Sequence, residues 1–249
     1  MERENFLKSI QIIVLGICIA IGTLGASYIL SQGFVKIFQM KEEVVKVTGS
    51  AERKIHSDKV IWHIGFSKRA LDLKAAYADL EKDLGIVRAY LLKQGVLEPE
   101  MTVQQAQTTV LYKKNEKGYD TNEIEGYRVE QSIEVQSADV TKIDTVSRRA
   151  TELIHEGVEA ISYAPSFFYT RLSELKHDLL REAIQDAKGR AEKMLSATQN
   201  RVGFMRSGSS GVFQITPENS TSVSDWGEND TSALRKKVTA VVHAEFAIL

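Results

Sequence analysis

The alternation of apolar and polar positions is clearest over residues 171–197. Leu172, Leu175, Leu179, Ala183, Ala187, Ala191 and Met194 recur every three or four residues, and Leu180, Ile184 and Leu195 widen the stripe. This spacing predicts an α-helix with one buried face. The opposite side carries Lys176, Arg181, Glu182, Asp186, Arg190 and Lys193, with Asp186 four residues ahead of Arg190 in the supportive order. The stripe changes from Leu to Ala midway, which predicts that the second half packs closely on a flat partner such as a sheet. Gly189 costs this helix about 1 kcal/mol relative to Ala, and is either a close-contact point or simply tolerated.

The period changes repeatedly along the rest of the chain. Residues 44–51 are β-branched and predict a strand; residues 60–67 alternate, with Trp62, Ile64 and Phe66 on one face and Ile61, His63 and Gly65 on the other. Leu73, Tyr77, Leu80, Leu84, Val87 and Leu91 predict a helix over 70–94 that stops at Gly95. A strand over 101–112, a polar hairpin loop over 113–122 and a half-solvated strand over 126–135 follow. Asp139 is placed to cap a helix striped by Val140, Ile143, Val146, Ala150 and Leu153 and ended by Gly157. Residues 160–169 form another strand, in which Pro165 requires an edge position or a bulge. The long helix then starts with Thr170 or Ser173 as its cap. A short strand at 201–206, a long polar loop over 207–233 with a possible strand at 211–215, and an alternating strand over 237–249 complete the chain. The order β-β-α-β-β-α-β-α-β-β predicts an α+β domain over 44–249: an antiparallel sheet with helices packed on one face.

The amino terminus follows a different rule. Residues 12–30 carry no charge, and Ile10 extends the run. Such a length crosses a hydrocarbon core of about 30 Å. It reads as a transmembrane anchor over 10–30, after a short tail at 1–9 and before a juxtamembrane linker at 31–43. A cleaved signal peptide is the rival reading, with Gly25, Ala26 and Ser27 as small residues, but Tyr28, Ile29 and Leu30 continue the apolar run past them. Gly16 with Ala20, and Gly22 with Ala26, give the small-xxx-small spacing that lets helices approach in a bilayer. Arg3 and Lys8 on one side face Lys36, Lys41 and Lys46 on the other, so charge alone leaves the orientation open.

Charge and chemistry exclude more than they assign. Residues 1–40 hold Arg3, Lys8 and Lys36 against Glu2 and Glu4, so of 32 basic and 33 acidic residues the remainder keeps 29 and 31, a net of −2. Basic residues are dispersed, which leaves nucleic-acid binding unsupported. The single cysteine, Cys18, excludes an internal disulfide and any multi-thiolate metal site. The five histidines, at 56, 63, 155, 177 and 243, show no ligand spacing on one element. His63 and His243 could lie on neighbouring strands, without a third ligand. Residues 207–211 lack the Lys of a phosphate loop, and no nucleophile elbow is present. Asp58, at a strand entry, is expected to hold backbone N–H groups in its turn. Trp226 stands in the polar loop as a candidate partner contact, against the alternative that it folds back on its own domain. No catalytic residue, cofactor or metal is expected.

One resemblance ties these pieces together. Val47-Thr48-Gly49-Ser50-Ala51 followed by Asp58, the helix end Lys93-Gln94-Gly95-Val96, and Gly126-Tyr127 opening an alternating strand stand in order along the chain. Gly157-Val158, the helix with Ala183, Ala187 and Ala191, and the alternating last strand complete the series. In this the chain resembles the SIMPL family from about residue 45 to residue 249. The resemblance implies an extracytoplasmic domain with the amino terminus inside the cell, homo-oligomers, an envelope or stress-related role, and no known catalytic residues. The expected protein is a non-catalytic, single-pass, self-assembling envelope scaffold in the cell membrane. The alternative is a tethered module that binds a protein or envelope polymer through the 207–233 loop; an unrecognised hydrolase is a third, weaker reading.

Overall fold

The computed structural model describes residues 16–35 and 43–249. The expected tail at 1–9, the start of the anchor and most of the linker lie outside the described residues. Helix α1, Gly16–Val35, is exposed along its whole length. Its 20 residues span about 30 Å at 1.5 Å per residue. Residues 31–35, assigned by sequence to the linker, continue this helix.

The elements that follow are β1 (Val44–His56), β2 (Lys59–Ala70), α2 (Leu73–Lys93), β3 (Met101–Val103), β4 (Gln107–Lys114), β5 (Asp120–Ser137) and α3 (Val140–Arg149). Then come β6 (Glu159–Ser162), β7 (Ser166–Phe168), α4 (Leu172–Ser196), β8 (Val202–Ser210), β9 (Gln214–Pro217), β10 (Glu228–Asn229) and β11 (Arg235–Ile248). The class is α+β, as expected, with two sheets where the sequence suggested one. A six-stranded sheet has the order β3-β5-β2-β6, with β4 also on β5 and β7 also on β2; a five-stranded sheet runs β1-β11-β9-β10, with β8 on β11. Not every pair is antiparallel, because β10 runs parallel to β9.

Each difference from the sequence reading has a local cause. The strand expected over 101–112 is interrupted at 104–106, where Gln104 N–H turns to Ser132 O at 2.9 Å. The strand expected over 160–169 is broken around Pro165 into β6 and β7. Asp72 caps α2 by accepting from Ala75 N–H, and Asp139 caps α3 by accepting from Lys142 N–H. Thr170, expected to cap α4, instead donates its N–H and its hydroxyl to Asp58 at 2.7 and 2.8 Å. Asp58 thus binds a residue 112 positions away rather than its own turn. Two glycines are required by the backbone. Gly157 ends the helical turn after α3 at φ 83°, and a Cβ on Gly126 would lie 2.8 Å from Ala70 O.

The chain divides into two compact units: Met1–Gly49, Ile184–Ser209 and Val242–Leu249 in the smaller, Ser50–Ala183 and Ser210–Val241 in the larger. In the larger, α2 and α3 cover one face of the six-stranded sheet. Val60, Trp62, Ile64 and Phe66 of β2 meet Val129, Ile133 and Val135 of β5, and Leu80, Val87, Leu91 and Ile143 close over them. Each such side chain gains about 1.5–3 kcal/mol on burial. In the smaller, Ala187, Ala191 and Leu195 of α4 pack on Val45, Val47, Ala244 and Phe246. This is the helix-on-sheet contact that the change from Leu to Ala predicts. Met194, assigned to the stripe, faces outward at 55% exposure, and Leu195 takes the inward place. A Cβ on Gly189 would meet nothing within 4 Å, so this glycine is tolerated rather than required.

Candidate functional site

The face of the six-stranded sheet turned away from α2 and α3 is open. Its rows follow from the register: His63 beside Glu134, Gly65 beside Ser132, Ser67 beside Glu130. Ile161 lies beside Gly65 on the other flank, and Thr102 and Gln107 extend the outer rows. The middle row is low at Gly65 and Ser132, with Ile161 at its flank, while the rows on either side carry long polar groups. The result is a cleft of about 730 Å³, within the size range of small-molecule sites.

Two irregular segments wall this cleft. Residues 104–106, between β3 and β4, are tied down by Gln104 N–H to Ser132 O and by Gln131 Nε2 to Gln104 O, both 2.9 Å. Tyr163, beyond β6, donates its N–H to His63 O at 3.1 Å, and its ring edge would lie 3.4 Å from a Cβ on Gly65. The charged groups pair among themselves. Glu134 accepts from Gln104 and Gln136 and lies 3.8 Å from His63 Nε2, and Arg128 Nε lies 2.6 Å from Glu130. Ser67 Oγ donates to Glu159 at 3.4 Å. Among the described residues no three His, Cys, Asp or Glu side chains are grouped so as to hold a metal ion.

The smaller unit offers a second, smaller recess of about 250 Å³. Thr48 Oγ1 and His243 Nδ1 are 2.9 Å apart there, and Lys46 pairs with Glu245 at 2.8 Å. His63 and His243 lie not on neighbouring strands but in different sheets, on β2 and β11. Trp226 is 94% exposed. The region 207–233, expected as a polar loop with a possible strand at 211–215, holds the end of β8, then β9 at 214–217 and the short β10. Gly16, Ala20, Gly22 and Ala26 are exposed on α1, and a Cβ on Gly16 or Gly22 would meet nothing within 4 Å.

Sequence reasoning missed a buried ion pair. Lys236 is 2% exposed; its Nζ donates to Phe167 O at 2.9 Å and to Asp230 O, and lies 3.4 Å from Asp230 Oδ2. Burial pushes the Lys236 ammonium below its usual range, against the pull of Asp230. Burial acts to raise the Asp230 carboxyl, but donation from Ser232 Oγ and from the N–H groups of Ala233 and Ser232, with the Lys236 charge, holds it below its usual range. The signal was present in the alternation: Lys236 shares its parity with inward-facing Val238, Ala240 and Val242. The other missed pair is Lys68 with buried Asp83, at 3.1 Å.

An exposed apolar helix followed by an α+β domain of two sheets defines a class of protein whose helix is long and apolar enough to cross a membrane, as an anchor or as a signal sequence. The SIMPL family profile, described as a protein of unknown function (DUF541), matches residues 45–246, and the chain belongs to that family. No curated protein matches the chain. Among solved structures, one from methicillin-resistant Staphylococcus aureus, provisionally described as an aminohydrolase, is similar at 12% identity and a TM-score of 0.24. The similarity covers 57% of this chain and 39% of that one, so the chain spans well under half of that structure's length.

Proposed function

We propose that this SIMPL protein is a non-catalytic, single-pass membrane protein. Its domain stands outside the cytoplasm and self-associates as an envelope scaffold, in a stress-related role. The observation that carries this reading is β8. It pairs with β11 alone among the described strands, and its residues from Phe204 to Ser210 are exposed, Phe204 at 69% and Met205 at 43%. A strand at the border of a sheet, with exposed apolar side chains, is a template for a strand of another chain. The test is the mass of the full chain in detergent by light scattering. A discrete multiple of the chain mass is expected, reduced by Phe204→Lys with Met205→Lys; a single-chain mass for the unaltered protein would overturn the reading. Orientation is checked by labelling Ser220→Cys in intact cells with a membrane-impermeant maleimide, which reaches it only if the domain is outside.

A second reading rests on Trp226. It is 94% exposed, and Val223 nearby is 80% exposed. An aromatic held in solvent beside a second apolar residue suits a tethered module that captures a protein or envelope polymer. A photo-crosslinking residue at position 226 should then join a discrete envelope component, and Trp226→Ala should abolish capture with the assembly mass unchanged.

A further inference from the structure

We infer that the cleft on the open face of the six-stranded sheet binds an uncharged oligosaccharide. Gly65 carries no side chain, so the Tyr163 ring packs down onto the sheet there, and Ser132 beside it keeps the floor low between the taller rows. The walls offer planar amide and carboxylate groups, including Gln104, Gln107, Glu130 and Glu134. The amides donate and accept and the carboxylates accept, which suits adjacent hydroxyls on a rigid ring.

Charge then selects among polar ligands. Arg128 is met by Glu130, while Glu134 is held by Gln104 and Gln136 and faces His63. A polycation or polyanion would have to displace these partners, whereas a neutral polyhydroxyl ligand adds to them. The apolar part of the site completes the match. Tyr163 and Ile161 are 54% and 49% exposed at one wall, and the Tyr163 ring lies against the floor at Gly65. A ring with an apolar face and a polar tip complements a pyranose, which presents C–H groups on its faces and O–H groups at its edge. An extended peptide is the poorer fit. It would add to a sheet edge, where backbone groups are free, rather than lie across a face. This inference does not depend on self-association.

The test uses the full chain in a detergent without a sugar headgroup, titrated calorimetrically with tetra-N-acetylchitotetraose and maltotetraose. Saturable binding of at least one is expected. Tyr163→Ala should weaken it by at least about tenfold, or ~1.4 kcal/mol, while Tyr163→Phe retains it. Gly65→Val, which pushes the Tyr163 ring off the floor, should weaken it to a similar degree. Tyr163 is half-exposed, so its variants keep the melting temperature of the parent and report on binding alone. No heat with either sugar, or binding undiminished by Tyr163→Ala and Gly65→Val, would overturn the inference. So would saturable binding of spermidine or a neutral tetrapeptide in the absence of sugar binding.

Discussion

Two hydrophobic clusters among the described residues solve the same problem by different means. In the larger unit, long side chains reach across from sheet to helix: Trp62, Ile64 and Phe66 from β2, Leu91 from α2, Ile143 from α3. In the smaller unit, Ala187 and Ala191 bring the α4 backbone itself close to the sheet. The larger unit also buries polar groups. Ser57, Ser67, Asp83, Ser137, Ser147, Gln214, Thr216 and Lys236 all belong to it, and the smaller has no buried polar residue among the described ones. Each buried methylene contributes about 0.8 kcal/mol, so an alanine-lined contact has less to lose from truncation and more to lose from added bulk.

The comparison breaks first at Trp62. Its side chain is fully buried and its Nε1 donates to Ser162 Oγ at 3.1 Å. Trp62→Ala should cost about 3–5 kcal/mol in chemical denaturation. Lys236→Met should cost about 3 kcal/mol, because it leaves the Asp230 carboxylate and two carbonyls without their cation. The same pair predicts a pH dependence. The folded Asp230 carboxyl sits below its unfolded value of 3.8, so its contribution is complete above that value and is lost as pH falls through the lower folded value. An Asp230→Asn variant should therefore show a shallower loss of stability on acidification than the parent.

Ala187→Leu tests the opposite failure, overpacking. It should cost about 1–3 kcal/mol, and hydrogen exchange should quicken at Val242–Leu249 while the amides of β2 keep their protection. The smallest effect is a gain. Gly189→Ala adds a methyl into open space and should raise stability by about 1 kcal/mol, read as a higher melting temperature.

Much of the fold was legible because both periods are strong here. The inward set Trp62, Ile64 and Phe66, the caps at Asp139 and Gly157, and the Leu-to-Ala change in α4 follow from residue type and spacing. What spacing does not encode is which strand lies beside which. The division into two sheets, the interruption at 104–106 and the link from Asp58 to Thr170 depend on partners far along the chain. The cleft was illegible for the same reason. Gly65, Ser132, Ile161 and Tyr163 acquire meaning only once the register puts them side by side. Lys236 is the exception, since its parity was visible and its partner was not.

The pairing of β1 with β11 sets a timetable for the chain. Thr48 meets His243 across 195 positions, and Ile248 N–H reaches Glu43 O. A ribosome therefore releases β1 long before the strand that completes it exists. Such non-local contacts fold slowly, and until synthesis reaches residue 248 the early strand stays a sticky edge in need of shielding. Losing the last residues of β11 would cost far more than the residues removed, because β1 would lose its partner.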